Sequence, residues 1–75
     1  MALYDDAVRV AKDFVGPAGE LFIQRQITTH LKLAKPRDLA SKDVVQLALW
    51  CKISFALLAD EVRGEAFRRQ ILSLL

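Results

Sequence analysis

An almost uninterrupted apolar stretch in the second half of the chain, 44–58, limits the folds open to it. Gln46, Lys52 and Ser54 are its only polar residues. The stretch falls short of the roughly 18–20 apolar residues that cross a bilayer. Its length and its Leu and Ala content favour a helix over the competing alternative, a buried strand. A helix that is apolar on nearly all sides is typical of an interior, so we predict a central helix over 42–59, covered on most faces.

Three other segments carry apolar residues on one side at helical spacing. Each has polar residues on its other side, as expected of a helix packed against a core. The connections between the segments are short, and no repeat or linker divides the chain. The sequence therefore predicts one domain over 1–75, an all-α compact bundle of four short helices around the central apolar helix, or five if 36–39 forms an extra turn. The three outer helices are predicted over 2–15, 18–33 and about 61–74.

Glycine, proline and capping residues mark the predicted boundaries. Gly16 suits a left-handed helix end, and Pro17 suits the first position of the next helix, so the pair predicts a corner. Pro36 interrupts the helical pattern in a loop over 34–40, and Ser41 is a good N-cap for the central helix. The adjacent Asp60 and Glu61 suit the start of the last helix, although Gly64 weakens its first turn and could itself be the first residue.

The apolar content is high for a chain of this length. Hydrophobic residues make up 53% of 75 residues, against about 45–50% in soluble domains. The final five residues include Leu72, Leu74 and Leu75, which point in different directions on a helix and cannot all face one core. Either this segment closes the domain or it packs on a second copy or another protein. Leu74 and Leu75 are therefore candidate partner-binding residues.

Few residues in the chain are candidates for catalysis or metal binding. Cys51 is the only cysteine and His30 the only histidine, too few for a structural zinc site. Cys51 is predicted to be buried and inert, and His30 to lie at the edge of the core, bonded to the following loop. A lone cysteine and the absence of a signal-peptide pattern favour a cytoplasmic location. We predict no catalytic residue, no cofactor, no metal and no small-molecule substrate, hence a protein that is not an enzyme.

Positive charge is concentrated in the middle of the chain. Residues 24–42 hold five basic residues and one acidic residue, a local charge of +4 against +2 for the whole chain. Such a patch could contact nucleic acid, acidic lipids or an acidic protein, or could be an ordinary solvated surface. The helix that follows is too apolar to lie in a DNA groove. The candidate partner-binding residues here are Arg25, Lys32, Lys35 and Arg37, with Lys42 beside them.

Residues 16–31, GPAGELFIQRQITTHL, resemble a segment of small helical modules in bacterial regulatory and signalling proteins. The resemblance continues loosely through LALW at 47–50 and the closing helix. It implies an adaptor or assembly module and assigns no residue a role. Together with the surplus apolar surface, it predicts a non-enzymatic protein–protein interaction, adaptor or oligomerisation domain. The alternative is a nucleic-acid-binding domain that uses the basic residues at 25–42.

Overall fold

The computed structural model describes residues 2–75, which form helices and turns without a β-strand, so the prediction of an all-α fold is confirmed. Short 3₁₀ turns at Gly16–Ala18, Pro36–Asp38 and Ser41–Asp43 and one π-helical turn at Ile27–Leu31 lie between the longer elements. The α-helices are α1 (Leu3–Val15), α2 (Gly19–Gln26), α3 (Val44–Leu58) and α4 (Glu61–Leu72).

The corner between α1 and α2 depends on two glycines. Gly16 ends α1 with φ 74° and ψ −147°, and its N–H donates to the Lys12 carbonyl. The predicted positive φ is therefore present, but in an extended rather than a left-handed helical conformation. Gly19 lies against the preceding helix, where a Cβ would come within 2.6 Å of the Lys12 backbone nitrogen. The two helices consequently meet at backbone distance.

The second helix is shorter than the predicted range of 18–33. Its α-helical part ends at Gln26, one π-helical turn follows, and Lys32 stops it in the left-handed conformation with φ 55°. Thr28 donates from Oγ1 to the Gln24 carbonyl at 2.9 Å. Hydroxyls of this kind compete with the backbone for helical carbonyls, and β-branched residues lower helix propensity, which explains the early end.

Aspartates rather than serine hold the starts of the last two helices. Asp43 accepts from the Ala40 N–H through Oδ2 at 3.1 Å, and Ser41, the predicted N-cap, makes no capping hydrogen bond. Asp60 caps α4, with Oδ1 accepting from the Arg63 N–H at 2.8 Å. The prediction that Asp60 suits the start of this helix is confirmed. Gly64 lies inside the helix, not at its beginning.

The centre of the core is an aromatic cluster to which every α-helix contributes one phenylalanine. Phe67 of α4 is fully buried and stacks on Phe14 of α1, with ring centroids 4.7 Å apart and planes at 6°. Phe22 of α2 and Phe55 of α3 each lie 5.5 Å from the same ring. Aromatic pairs at these distances stabilise beyond their buried area. The core is thus organised around Phe67.

The prediction that the apolar third helix is covered on most faces is wrong. One side of α3 is buried, through Val44, Leu47, Ala48, Cys51 and Phe55. The opposite side remains exposed although it is also apolar. α4 packs along one flank of α3, and only a few residues of α2 reach the other. Because so short a chain buries only about 60% of its unfolded surface, three short helices cannot enclose a fourth.

Candidate docking surface

The outer face of α3, defined here as Val45, Leu49, Ile53 and Leu57, is the main exposed apolar feature of residues 2–75. These residues recur every four positions and so form one ridge along the helix. Their exposed fractions are 55% for Val45, 40% for Leu49 and Ile53, and 85% for Leu57. The ridge points away from the core because the buried positions of α3 lie on the opposite side. Sequence reasoning placed these side chains inside.

The two flanks of this face are closely packed. On one flank Trp50 stacks flat on His30, with ring centroids 3.7 Å apart and planes at 5°. His30 lies at the core edge as predicted, but no hydrogen bond joins it to the following loop among residues 2–75. On the other flank, a Cβ at Gly64 would lie 2.8 Å from the Lys52 carbonyl oxygen, so α4 touches the backbone of α3. Both contacts hold α3 in place, and the outer face is preorganised.

The outer face continues into a groove of about 370 Å³ between α2 and α3. Its walls are mainly leucines, Leu21 from α2 and Leu57 and Leu58 from α3. At its floor the Ser54 hydroxyl donates to Gln26 Oε1 at 3.0 Å, so these polar atoms are already partnered. Arg25 lies at the rim and is exposed. The groove therefore offers apolar anchoring with one cation beside it.

A larger groove of about 670 Å³ lies against α4, and most of the charged groups that line it are already paired. Glu65 forms ion pairs with Lys52 at 3.1 Å and with Arg68 at 2.6 Å, and a longer one with Arg69 at 3.7 Å. The Lys52 hydrogen bond, reinforced by Arg68, lowers the pKa of Glu65 below its usual range. Surface pairs of this kind add little stability. Glu61, which also lines the groove, makes no ion pair among residues 2–75.

The basic candidates of the sequence lie on separate segments. Arg25 is on α2, and Lys32 and Lys35 are in the loop; all three are exposed and lack a carboxylate within 4 Å among residues 2–75. Arg37 instead pairs with Asp5 at 3.3 Å, and its guanidinium lies 5.1 Å from the centre of the Tyr4 ring. Because the π turn interrupts α2, Arg25 and Lys32 do not share one continuous α-helical face.

At the end of the chain the two candidate leucines differ. Leu74 is partly buried and packs against the core, whereas Leu75 is 66% exposed. The segment therefore helps to close the domain through Leu74, one of the two alternatives that the sequence left open, and leaves only Leu75 for another contact.

The described residues bring no reactive groups together. Cys51 is fully buried, and burial raises the pKa of its thiol to about 12, so the thiol is protonated at neutral pH. Within residues 2–75 no three His, Cys, Asp or Glu side chains are close enough to hold a metal ion. No helix in the same range has the length and apolar character needed to cross a membrane. Comparisons with protein-family models, curated proteins and solved structures find no match to this chain.

Proposed function

We propose that this domain is a non-enzymatic protein–protein interaction module that binds through the outer face of α3. The observation that carries the proposal is the exposed ridge of Val45, Leu49, Ile53 and Leu57 on a helix whose other side forms the core. In this proposal α3 packs on the core with one side and meets a partner with the other. The resemblance of residues 16–31 to bacterial regulatory modules suggests an adaptor role in a cytoplasmic regulatory system.

The extent of exposed apolar surface supports an interaction role. Single exposed leucines are normal, but contiguous patches mark binding sites. The ridge is continuous with the groove through Leu57, and Leu58 and Leu21 extend it further. A helix held by packing on two flanks needs little backbone ordering on binding, which favours association. The i, i+4 spacing matches the way an amphipathic helix would lie along α3.

Site-specific photo-crosslinking in the native cells tests the proposal. A photoreactive residue at Leu49 or at Leu57 should give a defined covalent product with one protein, either another molecule of this chain or a different partner. The same residue at Arg9, which is exposed on α1, should not give that product. Ile53→Asp in the Leu49-labelled chain should abolish it without unfolding the domain, because Ile53 is partly exposed in the free state. Equal products from Leu49 and Arg9 would refute the proposal.

A second candidate function is nucleic-acid binding through the basic residues at 25–42. The observation that favours it is that Arg25, Lys32, Lys35 and Lys42 lack an ion-pair partner among residues 2–75, whereas most other basic side chains are paired. Unpaired cations are available to phosphates, and binding would release counterions.

Titration with labelled RNA and DNA at several salt concentrations tests this candidate. Affinity should fall steeply as salt rises, and Lys32→Glu with Lys35→Glu should remove it. Arg37 is left unchanged because it pairs with Asp5. Lys12→Glu with Arg9→Glu, on α1, is the matched charge control. No affinity at low salt would exclude this function.

A further inference from the structure

We infer that the outer face of α3 receives a second copy of this chain, with the two α3 helices antiparallel across a two-fold axis. The inference rests on the proposed function and names its partner. Three features of the described residues lead to it: the spacing of the ridge, the charges at its two ends, and the apolar area that it exposes.

The ridge is self-complementary when one copy is reversed. With the two-fold axis crossing the ridge at the level of residue 51 along the helix, Val45 of one copy faces Leu57 of the other, and Leu49 faces Ile53. Every residue of the ridge then has an apolar opposite, and the exposed Gln46 beside the ridge lies opposite Ala56 of the other copy. This is the isologous arrangement that closed dimers require. Ridges formed by residues four apart can interdigitate between two helices.

The charges at the ends of α3 favour the antiparallel direction. Lys42, just before the helix, and Glu61, just after it, are both exposed and lack an ion-pair partner among residues 2–75. Reversing one copy places Lys42 near Glu61 of the other at both ends of the interface. A parallel pair would instead set Lys42 against Lys42. Opposite charges at the rim set orientation more than affinity.

The exposed area fits a reversible dimer. The exposed parts of the four ridge side chains supply on the order of 300 Å² of apolar surface. A standard interface buries about 800 Å² per partner, somewhat more than half of it apolar. The apolar face is therefore smaller than that of a standard interface, which suits a reversible dimer.

Cross-linking between cysteine variants tests the geometry. Residues 45 and 57 are about 18 Å apart along α3. A mixture of Val45→Cys and Leu57→Cys should be joined by a short bis-maleimide, whereas Val45→Cys alone should not. The native Cys51 does not interfere because it is fully buried. Cross-linking of Val45→Cys with itself, or a mixture that reacts no more than Arg9→Cys, would overturn the antiparallel dimer.

Sedimentation equilibrium tests the energetics. Ile53→Asp places an unpaired carboxylate beside the two-fold axis and should weaken self-association about a hundredfold or more. Arg9→Asp should leave it unchanged. Lys42→Glu and Glu61→Lys should each weaken it about two- to fivefold, and the double variant should restore it. A wild-type chain that is monomeric up to millimolar concentration would exclude the second copy as occupant.

The two proposals fail in different ways. If photo-crosslinking at Leu49 captures a different protein while sedimentation shows a monomer, the docking function stands and the inferred dimer is wrong. If Leu49 and Arg9 give equal products and the chain is monomeric, both are wrong.

Discussion

A single side chain, Tyr4 of α1, joins this helix to α2 through two hydrogen bonds. Its ring is buried in α1, and its hydroxyl donates to Glu20 at 2.8 Å and accepts from Gln24 Nε2 at 3.0 Å. Burial, and then the Glu20 hydrogen bond, raise the pKa of Tyr4. The sequence did not mark this residue, because a tyrosine near the start of a helix has no pattern that reveals two partners sixteen and twenty residues away.

Cys51 gives a prediction at the same scale. Its pKa is about 12 in the folded protein and about 8.5 when unfolded. The folded state disfavours the thiolate. The stability that depends on a protonated Cys51 is therefore complete below pH 8.5 and is lost as pH rises toward 12. We expect the free energy of unfolding to fall by about 1.4 kcal/mol per pH unit above 8.5 from this group alone.

Chemical denaturation between pH 7 and 9.5 measures that slope. Cys51→Ala is the control, since it lowers stability by leaving a small cavity but removes the titration. A thiol reagent should react with the folded protein only as fast as it unfolds. Rapid labelling of native Cys51, or equal slopes for the two proteins, would contradict the prediction.

At the scale of elements, the sequence specified α1 and α4 better than α2 and α3. The residues that end α1 and start α4, Gly16 and Asp60, act locally, and their effects can be read from propensity and capping rules. The π turn after Gln26 carries His30, whose stack on Trp50 is a tertiary contact that no local pattern encodes. The same limit applies to the docking surface, because apolar periodicity shows that a face avoids water but not what covers it.

The crossing of α3 and α4 predicts an inverted response to a glycine substitution. Alanine is normally favoured over glycine inside a helix by about 1 kcal/mol. At Gly64 the added Cβ would meet the Lys52 carbonyl oxygen at 2.8 Å and the Ala56 Cβ at 3.1 Å. Since the carbonyl is backbone, α4 would have to move, and we expect Gly64→Ala to destabilise the domain by about 1–3 kcal/mol.

Ala66→Gly, at an exposed position two residues along the same helix, is the matched comparison. It should cost about 1 kcal/mol through propensity alone. Urea denaturation followed by circular dichroism compares the two variants. A stabilised Gly64→Ala would show that the helices are not in backbone contact there.

For the molecule as a whole, the division of α3 between two roles follows from size. Phe67 and its three aromatic neighbours use one side of each helix, and no further element among residues 2–75 can cover the outside of α3. Under the inferred dimer a second copy buries that face, so stability and association become linked quantities.

This linkage predicts that thermal stability depends on protein concentration. If the folded domain dimerises and the unfolded chain does not, mass action stabilises the folded state. With about 2.1 cal/mol/K per residue over two chains, each tenfold increase above the dissociation constant should raise the Tm by about 4–5 °C. Scanning calorimetry from 10-fold below to 100-fold above the sedimentation midpoint checks this. Ile53→Asp should have one Tm throughout, a few degrees below that of wild type at its most dilute, because Ile53 is only 40% exposed in the monomer and its buried apolar contacts are lost. A wild-type Tm that does not change with concentration would mean that the outer face of α3 stays open to solvent until a different partner arrives.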